Sequence, residues 1–469
     1  MLISVVILYL VTTVGISFYM SRRVKSASDF LLAGRSLGLL LTTTTLAANQ
    51  IGAGVILGGA ELGSESGFWP GTWYGIGCGG GLILAGLLVA SKMRRQRGFV
   101  PLDFFGNRYG ERKWVRIWGW LSNIPSLLGI FIAQLMAAGS VFTVFGFSYT
   151  KGVIISGVLI MLFTSMGGML GVAVINFVQL IFIVLGIPLV MIMALSKLGD
   201  AGTVTAGSLL ASPFIPAGMF SRAVFIIVPF LLAISVSYDA FMRYQSAKSE
   251  KIAKWGCILG GIIVILISFC VGLVGAVGRV IFPSLEKAAV LPKMIQTMLP
   301  PVLAGLVVSA LLAAAMSAGN CLLISMAGCF SRDLYNKVFN PSAELDELKY
   351  SKAISRAVII GTVVVGVTIA FYAKGILYTI IIFNYPYMGS MLVPLLGGVL
   401  WERATAKGAI AAILAGGVIG VFSFFVGMPG PLQGLLNIDL SLFIAYAVSA
   451  FVFVTVSLLT SDQAPQFNK

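Results

Sequence analysis

Asn49 and Gln50 stand side by side near the middle of an apolar stretch, Thr42–Gly63, with Gly52, Gly54, Gly58 and Gly59 just behind them. Two uncharged amides at that depth are costly unless they face protein or water. Glycines lower the cost of breaking a helix. A broken helix frees carbonyls and N–H groups, which are tolerated only where they line a cavity. The chemistry on offer is hydrogen bonding to a polar solute. Close packing of small residues is the competing reading of the glycines; the adjacent amides favour the cavity. A second stretch, Ser309–Tyr335, sets Ala314, Ser317, Ala318, Cys321 and Ser325 at steps of three, one, three and four. On a 3.6-residue helix these share one face. A face meeting lipid would be Leu, Ile and Phe, so this small, hydroxyl-bearing face is expected to touch something other than lipid.

The elements that carry these residues follow from composition. The 469 residues are 58% hydrophobic and 10% charged, against about 25% charged in soluble domains, and the mean hydropathy is +1.01. Apolar runs of about 20 residues recur, each long enough to cross a ~30 Å hydrocarbon core. We read an all-α polytopic membrane protein of about 13 spans, with no separate soluble domain: 1–20, 38–62, 70–91, 117–145, 151–168, 171–196, 222–242, 254–278, 299–328, 356–373, 375–400, 408–427 and 439–460. The segments 21–36, 92–116, 243–254, 332–356, 401–407 and the C-terminal tail hold all of the 31 Lys and Arg except Lys151, Lys197, Arg222, Arg279, Lys287, Lys293 and Lys374. Positive charge stays cytoplasmic, so the N-terminus is expected outside and the C-terminus inside, in a plasma (inner) membrane. The first span has no basic start, and its cluster Arg22, Arg23 and Lys25 follows it. It reads as a retained helix, not a cleaved leader.

The same composition excludes several classes. The net charge of +15 is spread over short loops, which suits orientation and anionic lipid, not nucleic acid. There is no histidine, hence no histidine relay or metal ligand. No phosphate-binding loop or zinc-protease helix is present, and no nucleophile–base pair, so the chain is not expected to be an enzyme or to hold an organic cofactor. Cys78, Cys257, Cys270, Cys321 and Cys329 fall in or beside spans and read as free core residues. No obligatory protein partner is evident.

Six stretches, in order along residues 29–409, resemble the sodium:solute symporter family: DFLLAGRSLG (Asp29–Gly38), AQLMAAG (Ala133–Gly139), TSMGGMLGVAVINFVQ (Thr164–Gln179), FMRYQSAKS (Phe241–Ser249), the Ser309–Tyr335 segment, and VPLLGGVLWERATAKGA (Val393–Ala409). The resemblance implies a LeuT-type fold with a five-plus-five inverted-repeat core. The repeats would be 38–196 and 222–400, with a leading helix at 1–20 and trailing helices over 408–460. It also implies what the small face touches: a sodium ion held against the broken first core helix. Carbonyls matching Ala47, Gln50 and Ala314 and hydroxyls matching Ser317 and Ala318 would form that site.

Two positions depart from the family. Ala318 replaces a hydroxyl residue, and Ile175–Asn176 replaces a Thr–Asp pair. A carboxylate about 6 Å from a cation at an effective dielectric of about 20 contributes roughly 3 kcal/mol. Its loss is worth about a hundredfold in affinity, so the sodium site is expected to be weakened, with Asn176 beside it. No Lys or Arg lies mid-span in either facing helix, and Glu61 and Asp239 read as carboxylates near span ends.

For the solute, the candidate lining residues are Asn49, Gln50, Gln134, Tyr238, Asn384 and Tyr387. Gln50 and Ser237 stand where the choline-transporting branch has aromatics, which disfavours choline. With no charge expected mid-membrane, a small neutral or zwitterionic solute, or a carboxylate held by helix N-termini, fits. The reading is sodium-coupled symport of a small polar organic solute by alternating access. The alternatives are a sodium-independent uniporter or exchanger on the same scaffold, and a transporter-like membrane sensor.

Overall fold

A computed structural model describes residues 2–22, 32–96, 98, 100–110, 113–164, 169–200, 205–341, 351–373, 375–427 and 438–460. Positions 29–31 and 165–168 of the motifs lie outside the described residues, as do the basic residues Arg23, Lys25, Arg97, Arg112, Lys349, Lys374 and Lys469. Backbone groups in hydrocarbon must be satisfied within their own segment, and the described chain is accordingly helical. Its single bridge, Leu37 with Ala247, ties the loop before one broken helix to the loop after the other.

The helices are α1 (Leu2–Ser21), α2 (Leu39–Gln50) and α3 (Gly54–Ser66), α4 (Phe68–Arg95), α5 (Pro101–Tyr109), α6 (Lys113–Thr143), α7 (Tyr149–Thr164) and α8 (Met169–Asp200). There follow α9 (Phe220–Ala233), α10 (Tyr238–Gln245), α11 (Glu250–Ile281), α12 (Val290–Met298) and α13 (Pro301–Phe339). The last four are α14 (Ser351–Ala370), α15 (Ile376–Leu400), α16 (Ala406–Gly427) and α17 (Ile438–Leu459). Among the described residues each expected span contains helix. Among the described residues nine helices are long and apolar enough to cross a membrane, and the bent pair α2–α3 makes a tenth. By this measure alone the count stops short of thirteen.

Two spans are broken. The first, α2–α3, bends by 50° at Ile51–Ala53. The second was expected as one helix over 222–242. Instead α9 tightens at Ile234–Val236 and Ser237 is extended (φ −64°, ψ 148°). Ser237 then caps α10, its side chain accepting from the Ala240 amide, the usual work of a serine N-cap. The glycines after Gln50 serve close packing as well. A Cβ on Gly54 would lie 2.5 Å from the Tyr74 ring, and one on Gly63 2.7 Å from the Gly272 carbonyl.

The scaffold around the breaks is glycine-laced. Gly71, Gly75 and Gly79 lie one turn apart on α4, facing Gly272, Ser268 and Gly261 of α11; a Cβ on Gly75 would sit 2.2 Å from that of Ser268. Backbones this close gain dispersion contacts where lipid provides no hydrophobic drive between helices. α13 runs on to Phe339, past the expected end at 328. Its polar final turns are buried in an ionic knot, with Arg116 bonded to Asp333 (2.7 Å) and Asp103 (3.0 Å) and Arg332 3.5 Å from Asp103. The short helix α5 docks here: Arg108 donates to the carbonyls of Gly398 (3.1 Å) and Glu402 (2.9 Å), satisfying groups left open at the end of α15.

Candidate functional site

The two breaks and the walls of α6, α13 and α15 enclose a cavity of about 50 Å³, lined by all six sequence candidates: Asn49, Gln50, Gln134, Tyr238, Asn384 and Tyr387. Tyr74, Phe230, Asn123, Ser126, Asp239 and Ala318 complete much of the rest. Several candidates hold the broken backbones in place. Gln134 Oε1 accepts from the Ala53 amide (3.3 Å), which in an unbroken helix would bond to the carbonyl of Asn49. Tyr387 donates to the carbonyl of Val236 (2.9 Å), inside the second break. Each break is thus repaired by one side chain from a neighbouring helix, as buried backbone requires. Asn384 accepts from Ser126 (2.6 Å) and donates to the Ile380 carbonyl (2.7 Å), locking α6 to α15.

Asp239 corrects the sequence reading. It was expected near a span end, and the mid-membrane site was expected to carry no charge. It does lie in the first turn of a helix. That helix begins at the second break, however, so the carboxylate enters the cavity wall. Asp239 Oδ2 accepts from the amides of both Asn49 and Gln50. The only legible signal was Ser237, a capping residue two positions ahead of an acid; Ala233–Ser237 contains neither glycine nor proline. Arg243 is likewise buried, 2% exposed, one turn along α10, where it donates to the backbone carbonyl of Asp239 (2.8 Å). The sequence had left Asp239 outside the site; Arg243 stands behind it and is not among the residues that line the cavity.

The small face of α13 meets α2 and α8. Ser317 Oγ donates to Asn176 Oδ1 (3.1 Å), and Asn176 Nδ2 donates to Thr45 Oγ1 (3.1 Å). An uncharged oxygen chain thus joins three helices. Ala47, Ala314 and Ala318 are buried, and Ala318 also lines the cavity. The Ala47 carbonyl accepts from the Ile51 amide (2.8 Å), which leaves its second lone pair unused. Uncharged oxygens are the donor type that a hard monovalent cation takes.

Glu61 lies elsewhere. It lines a second pocket with Gly58, Leu62, Phe225, Leu377, Ile381 and Tyr385, which shares α3, α9 and α15 with the cavity. Tyr385 packs there on Phe225 (5.9 Å between centroids), while Tyr387, two residues on, faces the cavity.

Residues 30–416 match the sequence pattern of the sodium:solute symporter family. The chain belongs to that family. Its relatives include a sodium/pantothenate symporter of Escherichia coli K12, 28% identical with 88% of each chain covered. A sodium/proline symporter of the same bacterium is 24% identical over 94% of this chain and 93% of that one. A high-affinity choline transporter of Torpedo marmorata is 30% identical over 69% and 59%. In three dimensions the chain is similar to a Na+-coupled sialic acid symporter solved in a substrate-bound outward-open state, with a TM-score of 0.76, 18% identity and 99% and 98% coverage. It also resembles the nucleobase-cation-symport transporter Mhp1 in a closed conformation, with a TM-score of 0.64, 15% identity and 93% and 95% coverage. This family member is a multi-pass membrane transporter rather than an enzyme, a secondary carrier of small organic solute for which sodium is the family's coupling ion.

Proposed function

We propose that the cavity is the solute site of a sodium-coupled symporter working by alternating access. The ion would be held where α2 meets α13, by the carbonyls of Ala47, Gln50 and Ala314 and the hydroxyl of Ser317. The observation that carries this reading is Ala318, which belongs both to the cavity wall and to the face bearing the Ser317–Asn176–Thr45 chain. Ion and solute would share one wall, so each alters the other's binding through a single element. Two broken helices facing one cavity support repeats at 38–196 and 222–400, flanked by 1–20 and 408–460.

Ala318 contributes no oxygen, and Asn176 contributes an amide where a carboxylate would add charge. Ala318→Ser combined with Asn176→Asp is therefore expected to lower the half-saturating sodium concentration of uptake by about ten- to a hundredfold, roughly 1.4–2.8 kcal/mol. Ser317→Ala alone should remove the sodium response. Initial uptake into proteoliposomes, measured against sodium for each variant, decides it. The same two substitutions favour a second reading, sodium-independent transport. A flat native curve that Ser317→Ala leaves unchanged would establish that alternative.

For orientation, the distribution of basic residues supports an N-terminus outside and a C-terminus in the cytoplasm of a plasma membrane. A cysteine introduced by Gly207→Cys should react with an impermeant maleimide on intact cells. Reaction only in inside-out vesicles would reverse the topology.

A further inference from the structure

We infer that the transported solute carries a primary or secondary ammonium group and that Asp239 binds it; this rests on the cavity being the solute site. Asp239 spends one carboxylate oxygen on the two amides, since Oδ2 accepts from both Asn49 and Gln50. Oδ1 has no hydrogen bond among the described residues and is not sealed from the cavity. Among the described residues no Lys or Arg lines the cavity. The guanidinium of Arg243 donates to the backbone carbonyl of Asp239 (2.8 Å), and among the described residues no ion pair joins it to the Asp239 carboxylate. Two amide donors, the start of α10 and the Arg243 charge one turn away all stabilise a negative charge at Asp239. Its carboxylate lines the cavity with one oxygen free of hydrogen bonds among the described residues.

The surrounding surface suits the same ligand. Tyr74, Phe230, Tyr238 and Tyr387 line the cavity, and aromatic faces attract the polarised hydrogens of an ammonium. An N–H is needed to bond to Oδ1, which favours primary and secondary amines over quaternary ones. A solute with only a carboxylate would bring like charge to Asp239 with no cation on the wall to offset it. Asn123 and Ser126 of α6 also line the cavity and could hydrogen-bond an amino acid's remaining groups or an amine's hydroxyl.

The test uses the full chain in proteoliposomes with an inward sodium gradient. A mixed external pool supplies the standard amino acids, ethanolamine and putrescine, together with choline, pantothenate and lactate, and the accumulated contents are read by mass spectrometry. One or more of the primary or secondary amines should accumulate; ethanolamine or putrescine would indicate a simple amine and an amino acid a zwitterion. Asp239→Asn should cut that uptake at subsaturating concentration by about ten- to a hundredfold, and Asp239→Glu should retain part of it, both variants being checked for monodispersity. Accumulation of choline, pantothenate or lactate without any such amine would overturn the assignment while leaving the transport reading in place. So would amine uptake that Asp239→Asn leaves unchanged. Accumulation of nothing in the pool would bring down both.

Discussion

Arg116→Ala is expected to destabilise the folded protein by about 3–5 kcal/mol, the usual cost of removing one partner from a buried ion pair. Arg116 is 3% exposed in its side chain and sits between Asp333, fully buried, and Asp103, 9% exposed. The variant strands two carboxylates in a low-dielectric interior. Arg332 approaches Asp103, so the larger penalty falls on Asp333, whose second oxygen already lacks a hydrogen-bond partner. Thermal unfolding of the detergent-purified protein measures the loss. Adding Asp333→Asn should restore a large part of it, because the stranded charge is then gone. An Arg116→Ala protein within about 1 kcal/mol of the parent would show that the knot is solvated and contributes little. The knot lies next to the cavity: Asn123 lines it and donates to Cys329 (3.4 Å), one turn ahead of Asp333. The destabilised variant should therefore also expose this end of the cavity to thiol reagents.

Gln50→Leu is expected to lower transport efficiency by roughly ten- to a hundredfold and to leave insertion and folding near normal. Gln50 lines the cavity and donates to Asp239 (3.1 Å). A hydrogen bond to a charged group contributes about 1.5–3 kcal/mol, and leucine cannot replace it. Asn49 is then left as the sole amide on the carboxylate. Leucine is a good helix former of similar length, so α2 should persist to its break. Uptake kinetics alongside size-exclusion profiles separate the two effects. Wild-type rates with unchanged affinity would reduce Gln50 to a packing residue.

The membrane class, the order of the spans, the small face of α13 and the six polar candidates of the cavity are all legible in the chain by itself. Each rests on a local signal: a hydrophobic run of bilayer length, a helical period, or an amide where lipid would demand carbon. Ala318 and Asn176 stand out only against the resembling family's pattern. Asp239 was misplaced for a physical reason. A hydropathy run continues through a helix break, and Ala233–Ser237 carries no residue that forces one. Tertiary structure decides the break, because the carbonyl it frees at Val236 is met by Tyr387, 151 residues away. Asp239 likewise meets Asn49 across 190 residues, and Arg116 meets Asp333 across 217. Local patterning shows which side chains are too polar to face lipid. Only the packed bundle determines which of them meet, and hence that the cavity carries a charge: a polar group's cost in a membrane is set by the partner that satisfies it, and that partner lies on another helix.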